Sequence, residues 1–382
     1  MIDCIVALGS NYEAVRNLAK ARDVLHRLYP RIVFSQERET EAVGMRLRQA
    51  SFLNQLAWLR VEDCAEADVL RGQLKMIERC LGRCSEEKAR EIIRIDLDLL
   101  AIGDERFKPQ DWKLPYVQDA YNELKNTIDM KFVGIIPARY ASTRFPAKPL
   151  AMLGGKTVIE RVYRQVAGQL DDAYVATDDR RIYDAVVAFG GKAIMTSVNH
   201  KSGTDRVYEA LTKIEGDFDV VVNIQGDEPF IQPSQLQAIR ACFADAQTDI
   251  ATLVKPFTPE QGYEALANPN SPKVVVNKNM NALYFSRSII PYLRGKEPQD
   301  WLGCHTYYKH IGLYAYRAEV LREITALPQS PLELAESLEQ LRWLENGYTI
   351  KVGISEVETI GIDTPEDLQH AEEFLQKQQA TK

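Results

Sequence analysis

The spacing of apolar residues predicts two different kinds of domain along the chain. In the first third, strand-like and helix-like periods follow one another in the order strand, helix, strand, strand, helix, strand. The predicted strands are residues 2–8, 31–35, 52–59 and 92–100, and the predicted helices are residues 12–28 and 65–81. This βαββαβ order is typical of ferredoxin-like α+β domains. We therefore expect a ferredoxin-like α+β domain in residues 1–129.

A second domain is predicted to begin at Met130, where the polar stretch 122–129 is followed by a new apolar strand at residues 132–136. Strands and helices then alternate, which indicates a parallel sheet with helices on both faces. The predicted strands are residues 173–176, 193–195 and 220–224, and the predicted helices are residues 157–166, 180–189 and 203–214. Later extended stretches, residues 273–276, 282–285 and 310–316, favour an antiparallel addition. Residues 130–382 are thus expected to form an α/β domain with a mixed sheet.

Composition narrows the class of function. A chain of 382 residues is too long for one typical core, and its formal net charge of -7 argues against a nucleic-acid-binding protein. No pair of its six cysteines has the two-residue spacing of a zinc or redox motif. The sequence has no charged-then-apolar leader and no apolar run long enough to cross a bilayer. We expect a cytoplasmic protein without membrane insertion.

The loop after the strand at residues 132–136 carries the strongest chemical signal. Residues 134–149 read GIIPARYASTRFPAKP, and their cations and hydroxyls are Arg139, Ser142, Thr143, Arg144 and Lys148. Open α/β sheets bind ligands at the carboxyl ends of their strands, and arginine and lysine are suited to phosphate groups. A solvated basic turn is the alternative. The position directly after a buried strand favours a triphosphate-binding loop instead.

Two carboxylates could hold a magnesium ion. Asp227 lies in QGDEP, directly after the strand at residues 220–224, and Asp363 lies in GIDTPED. Magnesium in phosphate-binding folds takes one or two carboxylates together with substrate oxygens. Asp227 could also be a turn residue, and Thr364 with Pro365 is a typical helix start. Both interpretations can hold, with Thr364 capping a helix while Asp363 faces the ion.

Other polar clusters are too dense for a core. Ser202 and Arg206 open a predicted helix, whose free amides favour an anion or a base carbonyl. Arg287 ends one predicted strand and His310 begins another, so the two could hold a substrate carboxylate. A predicted helix at residues 333–345 places three polar residues on one face, with a solvated surface as the alternative. Those residues are Glu336, Glu339 and Gln340.

Residues 130 to about 378 resemble the 3-deoxy-manno-octulosonate (Kdo) cytidylyltransferases. The matching blocks are IIPARYASTRFPAKPL, VATDD, HKSGTDRV, VVNIQGDEPFI, ALYFSRSIIPY, KHIGLYAYR, SPLELAESLEQLRWLENG and GIDTPEDL. The resemblance implies a Rossmann-like nucleotide-diphospho-sugar transferase fold that is usually a homodimer. It also implies condensation of CTP with Kdo to give CMP-Kdo and pyrophosphate, for lipopolysaccharide biosynthesis.

The resemblance also implies roles for individual residues. Arg139 and Lys148 would bind the CTP phosphates, and Asp227 and Asp363 would bind Mg²⁺. The residues implied near the cytosine or the sugar are Arg206, Gln225, Arg287, His310, Glu336, Glu339 and Gln340. The alternatives are a cytidylyltransferase for another acidic sugar, such as an amino-Kdo or a sialic acid, and a nucleotide-sensing regulator that has lost its metal carboxylates.

Residues 1–129 resemble the hydroxymethyldihydropterin pyrophosphokinases, which transfer pyrophosphate from ATP to a pterin. The matching residues are 7–11, 40–44, 52–54, Glu78, 82–83 and 96–98. Asp96 and Asp98 alternate on one strand and so face the same side, which suits magnesium. The resemblance implies that Thr40, Phe52 and Asn54 line a pterin pocket.

This first domain departs from its family at one important place. The Trp-Gly-Pro-Arg motif before the paired aspartates is replaced by Arg90-Glu91-Ile92-Ile93, although Arg94 lies one position away. The family's C-terminal part, with an aromatic wall of the pterin site, is also missing. Two interpretations stay open: an active kinase that uses ATP and a pterin, or a non-catalytic module for docking or dimerisation.

Overall fold

The structure is a computed structural model that describes residues 2–30, 32–41, 51–84, 86–87, 90–128, 130–141, 145–357 and 361–380. The chain divides into two compact units, Met1–Asp129 and Met130–Lys382. Within the described ranges, no helix is both long enough and apolar enough to cross a membrane.

The first unit is a six-stranded sheet with helices on both faces. Its strands are β1 Ile2–Ser10, β2 Val33–Phe34, β3 Arg38–Thr40, β4 Phe52–Val61, β5 Asp96–Ile102 and β6 Glu105–Arg106. Its helices are α1 Ala14–Leu28, α2 Cys64–Cys80 and α3 Pro115–Ile128, with a 3₁₀ turn at Asp111–Lys113. The strand order is β2-β4-β1-β5-β6, with β3 paired to β4. The central strand β1 is antiparallel to both β4 and β5.

The two faces of this sheet are covered by different helices. Leu18 of α1 and Leu74 of α2 share a buried cluster with Val6. Val117 and Leu124 of α3 pack into a second cluster on the opposite face. The polar stretch 122–129, after which the second domain is predicted to begin, therefore lies largely in α3. No helix was predicted here, because the apolar residues of α3 are spaced along one helix face, which a count of polar residues does not detect.

The second unit is built around a nine-stranded sheet. The strands of this unit are β7 Phe132–Ala138, β8 Met152–Leu153, β9 Lys156–Thr157, β10 Asp172–Thr177, β11 Ala193–Met195, β12 Val220–Asn223, β13 Ile250–Pro256, β14 Lys273–Val276, β15 Ala282–Ser286, β16 Tyr308–Arg317 and β17 Ile350–Ile354. Strands β8 and β9 form a separate two-stranded ribbon and are not part of the large sheet. Its helices are α4 Val158–Val166, α5 Arg180–Ala188, α6 Gly203–Leu211, α7 Pro233–Cys242, α8 Gly262–Ala267, α9 Trp301–Cys304, α10 Ala318–Thr325, α11 Pro331–Glu336, α12 Gln340–Glu345 and α13 Pro365–Ala380. Short 3₁₀ helices occupy Lys148–Leu150, Pro259–Gln261 and Pro298–Asp300.

The main path of the large sheet runs β11-β10-β7-β12-β16-β13-β17. Strands β11, β10, β7 and β12 are parallel, whereas β16 is antiparallel to both of its neighbours. Strand β14 pairs with β16 and β15 pairs with β14, both in antiparallel orientation. The predicted α/β architecture with a mixed sheet is therefore confirmed. Because β7 lies between two parallel strands, its carboxyl end opens onto the edge where loops from several strands meet.

A small hydrophobic cluster joins three distant parts of the second unit. We call it the C-terminal cluster, and its buried members are Leu153, Val158, Phe230, Ile362 and Ala371. Phe145 and Phe374 pack against it, and the rings of Phe230 and Phe374 meet edge to face at 4.9 Å. The cluster thus fastens helix α13 to the segments that follow β7 and β12.

Replacing Phe230 by alanine should destabilise the second unit by about 3 kcal/mol, because a buried ring is lost and a cavity remains. Phe230 is 6% exposed, whereas nearby Met152 is 58% exposed. Urea unfolding of Phe230→Ala and of the control Met152→Ala would measure both effects. Equal stability of the two variants would contradict the anchoring role of the C-terminal cluster.

Candidate active site

The site is centred on the ammonium group of Lys148. Its Nζ donates to Oδ2 of Asp227 at 2.6 Å and to Oδ1 of Asp363 at 3.1 Å. These three residues lie far apart in the sequence, so their meeting is a product of the fold. The structure therefore brings together the lysine and both carboxylates that the sequence singles out.

The backbone before Lys148 is shaped to present its side chain. The amide of Ala147 donates to the carbonyl of Tyr140 at 2.9 Å, which closes the loop that follows β7. Ala147 itself has a left-handed φ of 59°, and the 3₁₀ helix Lys148–Leu150 begins directly after it. Ser142 and Arg144, which the sequence assigns to nucleotide binding, lie outside the described residues.

Asp227 is placed by the loop that leaves β12. A Cβ on Gly226 would lie 2.7 Å from the carbonyl oxygen of Pro137, so only glycine allows this loop to approach the end of β7 so closely. The structure shows that the close approach is to the neighbouring strand. The carbonyl of Asp227 also accepts from the amide of Ile362 at 2.9 Å, which joins this loop to the segment that carries Asp363.

Asp363 immediately precedes the start of helix α13. The hydroxyl of Thr364 accepts from the amide of Asp367 at 3.2 Å, while the Asp367 carboxylate accepts from the amides of Asp363 and Thr364, both at 2.9 Å. The predicted helix cap at Thr364 is therefore confirmed. Since the cap uses the Thr364 and Asp367 side chains, the Asp363 carboxylate is left to face Lys148.

The donor set fits a magnesium ion. Magnesium takes oxygen ligands and commonly uses only one or two carboxylates together with phosphate oxygens and water. Asp227 and Asp363 already converge on one cationic group, and their side chains are 30% and 50% exposed. Burial lowers the pKa of Lys148, but Asp227 and Asp363 raise it more, so the net pKa lies above its ordinary value. The lysine is therefore fully charged at neutral pH.

Arg139 lies at the same edge but is turned toward another loop. Its side chain is exposed, and Nη2 donates to the carbonyl of His200 at 2.6 Å and lies 3.5 Å from that of Ser202. His200 is in turn paired with Glu209 through its ring. An exposed guanidinium held by two carbonyls retains donors that can reach a phosphate.

Ser202 and Arg206 have structural roles in helix α6. Ser202 caps the helix, with its hydroxyl accepting from the amide of Asp205 at 3.1 Å. Arg206 is completely buried, donates to Thr196 at 2.6 Å and forms an ion pair with Asp178 at 2.6 Å. The prediction that Arg206 contacts the nucleotide is therefore corrected. Its guanidinium lies inside the protein and ties α6 to the loop after β10 and to the end of β11.

Asp178, the partner of Arg206, is not among the residues singled out from the sequence. A signal was present, because VATDD places a carboxylate directly after a predicted strand. A buried arginine requires a counter-charge, but the sequence does not show which carboxylate supplies it. The tertiary contact between β10 and α6 makes that choice.

Three residues are predicted to lie near the sugar: Gln225, Arg287 and Glu336. In the structure, Arg287 and Glu336 contact each other. Gln225 Nε2 donates to the carbonyl of Gly312 at 3.2 Å. The Glu336 carboxylate accepts from the hydroxyl of Ser286 at 2.6 Å and from the amide of Arg287 at 2.8 Å. Arg287 Nε donates to the carbonyl of Glu336 at 2.6 Å. These contacts fix the end of β15 against the end of α11.

The predicted helix at residues 333–345 is two helices. Helix α11 ends at Glu336, and Ser337 adopts a left-handed φ of 51° before α12 begins at Gln340. Glu336, Glu339 and Gln340 therefore do not share one helix face, and that prediction was wrong. The leucine spacing is compatible with one continuous helix, whereas the contacts of Glu336 with Ser286 and Arg287 hold the end of α11 where the chain turns.

Glu339 and Gln340 extend the site inward. Glu339 accepts from the Thr204 hydroxyl at 2.7 Å and pairs with Arg342 at 2.7 Å. Burial raises the pKa of Glu339, and this effect exceeds the lowering by Thr204 and Arg342. Gln340 is buried beside it at 4% exposure. Glu339 therefore links the start of α12 to the start of α6.

His310 is a neutral side chain in an aromatic environment. Its ring lies 5.2 Å from that of Phe285 and 5.3 Å from that of Tyr314, and Nε2 is 3.0 Å from the Thr252 hydroxyl. That hydroxyl also lies 2.9 Å from the carbonyl of Leu313, which can take its single proton. Burial lowers the pKa of His310 to about 3. The residue can donate a hydrogen bond, but it does not supply positive charge at neutral pH.

In the first unit, the candidate pterin residues meet beside Gly9 of β1. Gly9 pairs with Asn54 on one side and with Asp96 on the other, and Asn54 donates to the Thr40 hydroxyl at 2.8 Å. A Cβ on Gly9 would lie 2.9 Å from Oδ1 of Asn54 and 3.9 Å from Phe52. The residues named from the sequence are thus neighbours in space.

The aspartates of β5 are paired with cations of the same unit. Asp96 pairs with Arg83, while Asp98 pairs with Lys108 at 2.5 Å and with Lys75 at 3.6 Å. Burial raises the pKa of Asp96, but Arg83 and the nearby lysines lower it by a larger amount. The net pKa is therefore below its ordinary value. Three cations thus contact the two aspartates, and two of them, Arg83 and Lys75, also pair with the buried Glu78.

A lysine and two carboxylates at the carboxyl ends of the parallel strands of a mixed sheet form an arrangement that suits a nucleotidyltransferase. Residues 133–360 match the family model described as cytidylyltransferase, and the chain belongs to this family. It is 80% identical over 246 residues to the 3-deoxy-manno-octulosonate cytidylyltransferase of Bacteroides thetaiotaomicron. This match covers 64% of this chain and 98% of the relative. The enzyme of the same name from Phocaeicola vulgatus is 77% identical over 250 residues, covering 65% of this chain and 99% of the relative.

A solved structure supports the same assignment. The CMP:2-keto-3-deoxy-manno-octonic acid synthetase complexed with CTP is 42% identical to this chain and has a TM-score of 0.59. The match covers 65% of this chain and 99% of that one. The second unit is therefore a cytidylyltransferase of the nucleotidyltransferase fold. In addition, residues 5–153 match the family model of 7,8-dihydro-6-hydroxymethylpterin-pyrophosphokinase.

The low pKa of His310 should appear in the pH dependence of stability. An unfolded histidine titrates near 6.5, so between about 6.5 and about 3 the unfolded chain binds more protons at this position than the folded one. The contribution of neutral His310 is complete above that window and is lost as the pH falls through it. Urea unfolding at pH 7.5 and 5.5 should therefore show a smaller loss for His310→Gln than for the wild type. The exposed His305 gives a control, because His305→Gln should keep the wild-type dependence.

Proposed function

We propose that the second unit condenses CTP with 3-deoxy-manno-octulosonate to give CMP-Kdo and pyrophosphate, for lipopolysaccharide biosynthesis. The observation that carries the proposal is the convergence of Lys148, Asp227 and Asp363. It stands in a chain that is 80% identical to a named Kdo cytidylyltransferase over 98% of that relative. The proposal includes Mg²⁺ as cofactor, a homodimer and a cytoplasmic location, as expected from the sequence.

The mechanism follows from the charges at the site. The anomeric hydroxyl of the sugar attacks the α-phosphorus of CTP in line, an oxygen–phosphorus bond forms, and the bond to the leaving pyrophosphate breaks. The hydroxyl proton is released to solvent. Arg139 and Lys148 would bind the phosphates and stabilise the charge that develops on the leaving group. Asp227 and Asp363 would hold Mg²⁺, which lowers the pKa of a hydroxyl and neutralises phosphate charge when bound.

The sugar pocket would be formed by the ends of β12, β15 and β16. Glu336 and Arg287 brace this wall, and neutral His310 offers a hydrogen bond to a hydroxyl or carboxylate of the sugar. A related acidic sugar, such as an amino-Kdo or a sialic acid, is the alternative substrate. The non-catalytic alternative, a nucleotide sensor, is disfavoured because both candidate metal carboxylates are present and converge.

Pyrophosphate release should require CTP and Kdo together. Asp227→Asn should lower kcat by about 10²- to 10³-fold with the fold intact, because a charged contact made in the transition state is lost. The control is Asp184→Asn, since Asp184 is an exposed residue of α5 that pairs with Arg180. A coupled assay with the four nucleoside triphosphates, and with Kdo against a sialic acid, measures selectivity. Near-normal turnover by folded Asp227→Asn would refute the metal assignment.

For the first unit we propose a ferredoxin-like pterin pyrophosphokinase module. Its strand order β2-β4-β1-β5 and the match to the pyrophosphokinase model support this assignment. Residues 90–93 depart from the family's motif, and three cations compensate Asp96 and Asp98. On these two observations rests the equally open alternative, a non-catalytic module that retains the fold for docking or dimerisation.

The full chain incubated with ATP and hydroxymethyldihydropterin distinguishes these two functions. If the unit is an active kinase, AMP should form, and Asp96→Asn should lower the rate by at least about 10²-fold because a ligand for the metal is removed. The matched control is Asp68→Asn, since Asp68 is an exposed residue of α2. Absence of AMP formation in wild-type protein that still makes CMP-Kdo would support the docking module.

A further inference from the structure

Lys148 has an unusual position for a residue that is expected to bind phosphate. Its side chain is only 13% exposed, less than the side chains of Asp227 and Asp363, at 30% and 50%. The ammonium therefore lies on the inner side of the two carboxylates. Its donors point at the same oxygen atoms that a divalent cation would need.

Lys148 and a divalent cation would use the same ligand atoms. The ammonium contacts one oxygen of each carboxylate, and magnesium takes carboxylate oxygens as ligands. A divalent ion and the ammonium therefore compete for the same oxygens. The lysine side chain can leave without a change of backbone, because its four-carbon stem is flexible while the closed loop and the 3₁₀ helix hold its Cα.

We propose that Lys148 is an exchangeable counter-ion. Its ammonium holds Asp227 and Asp363 together before a divalent cation binds, and it moves to the CTP phosphates when that cation takes the carboxylates. This inference rests on the proposed function of the site. It adds that the lysine has two successive partners and that the cation and the nucleotide reach the site as a coupled pair.

The coupling follows from a balance of contacts. A divalent cation alone must displace the ammonium from two carboxylates, which weakens its binding. CTP gives the displaced ammonium a new set of anionic oxygens, so part of that cost is recovered. By linkage, the nucleotide therefore strengthens cation binding and the cation strengthens nucleotide binding.

The experiment measures Mn²⁺ binding in the absence of CTP, by electron paramagnetic resonance, for the wild type and for Lys148→Met. The variant should bind Mn²⁺ roughly tenfold more tightly, because the competing ammonium is gone. Lys156→Met is the matched control, since Lys156 is an exposed residue of β9, and it should bind Mn²⁺ as the wild type does. Adding Asp227→Asn to Lys148→Met should abolish the gain, which locates the ion at this carboxylate pair.

A second measurement uses the unmodified protein and so does not depend on the folding of a variant. Acetylation of Lys148 by acetic anhydride, followed by peptide mass spectrometry, should increase when Mn²⁺ is added and decrease again when CTP follows. Equal or weaker Mn²⁺ binding by folded Lys148→Met, or Lys148 labelling that does not increase with Mn²⁺, would overturn the proposal. Neither readout requires turnover, so failure of the exchange is distinguishable from a chain that makes no CMP-Kdo.

Discussion

The second unit depends on an electrostatic constraint: two carboxylates can lie this close together only if a cation compensates them. Lys148 supplies that cation, and it follows the central strand of the sheet, while Asp227 follows β12 and Asp363 precedes helix α13. The C-terminal cluster brings Phe145, Phe230 and Ile362 together, each within a few residues of one of the three charged groups. Apolar packing therefore determines where the charges are, and the charges determine what the site can bind.

Charged residues around this centre fall into two groups that the sequence does not separate. Lys148 donates to carboxylates and the exposed Arg139 donates to a loop carbonyl, and under the proposed mechanism both would change partner when a phosphate binds. Arg206 is instead enclosed and paired with Asp178, and Arg287 donates to backbone carbonyls. A buried arginine with fixed partners holds the surrounding segments in place. Separating it from its counter-charge would leave an uncompensated charge in the interior. The proposed catalytic edge thus combines Lys148 and Arg139, whose partners would change, with Arg206 and Arg287, whose partners are fixed by the fold.

The two units solve a similar electrostatic problem differently. In the first, Asp96 and Asp98 are compensated by Arg83, Lys75 and Lys108, which come from three different segments. In the second, among the residues that the structure describes, Lys148 contacts both aspartates. In the first unit, Arg83 and Lys75 also pair with the buried Glu78, so three carboxylates share the three cations.

The sequence by itself predicted the parallel strands β7, β10, β11 and β12 and the α/β character of residues 130–382, and it singled out Lys148, Asp227 and Asp363, because apolar periodicity and residues at strand ends are local properties. It also predicted the helix cap at Thr364, whose partner lies three residues away. It did not predict β13, β17 or helices α3 and α7. The tertiary structure alone decided that Arg206 is buried, that residues 333–345 break at Ser337, and that His310 is neutral. Each of these depends on which groups surround a side chain, and burial and partner choice arise only when distant segments pack together.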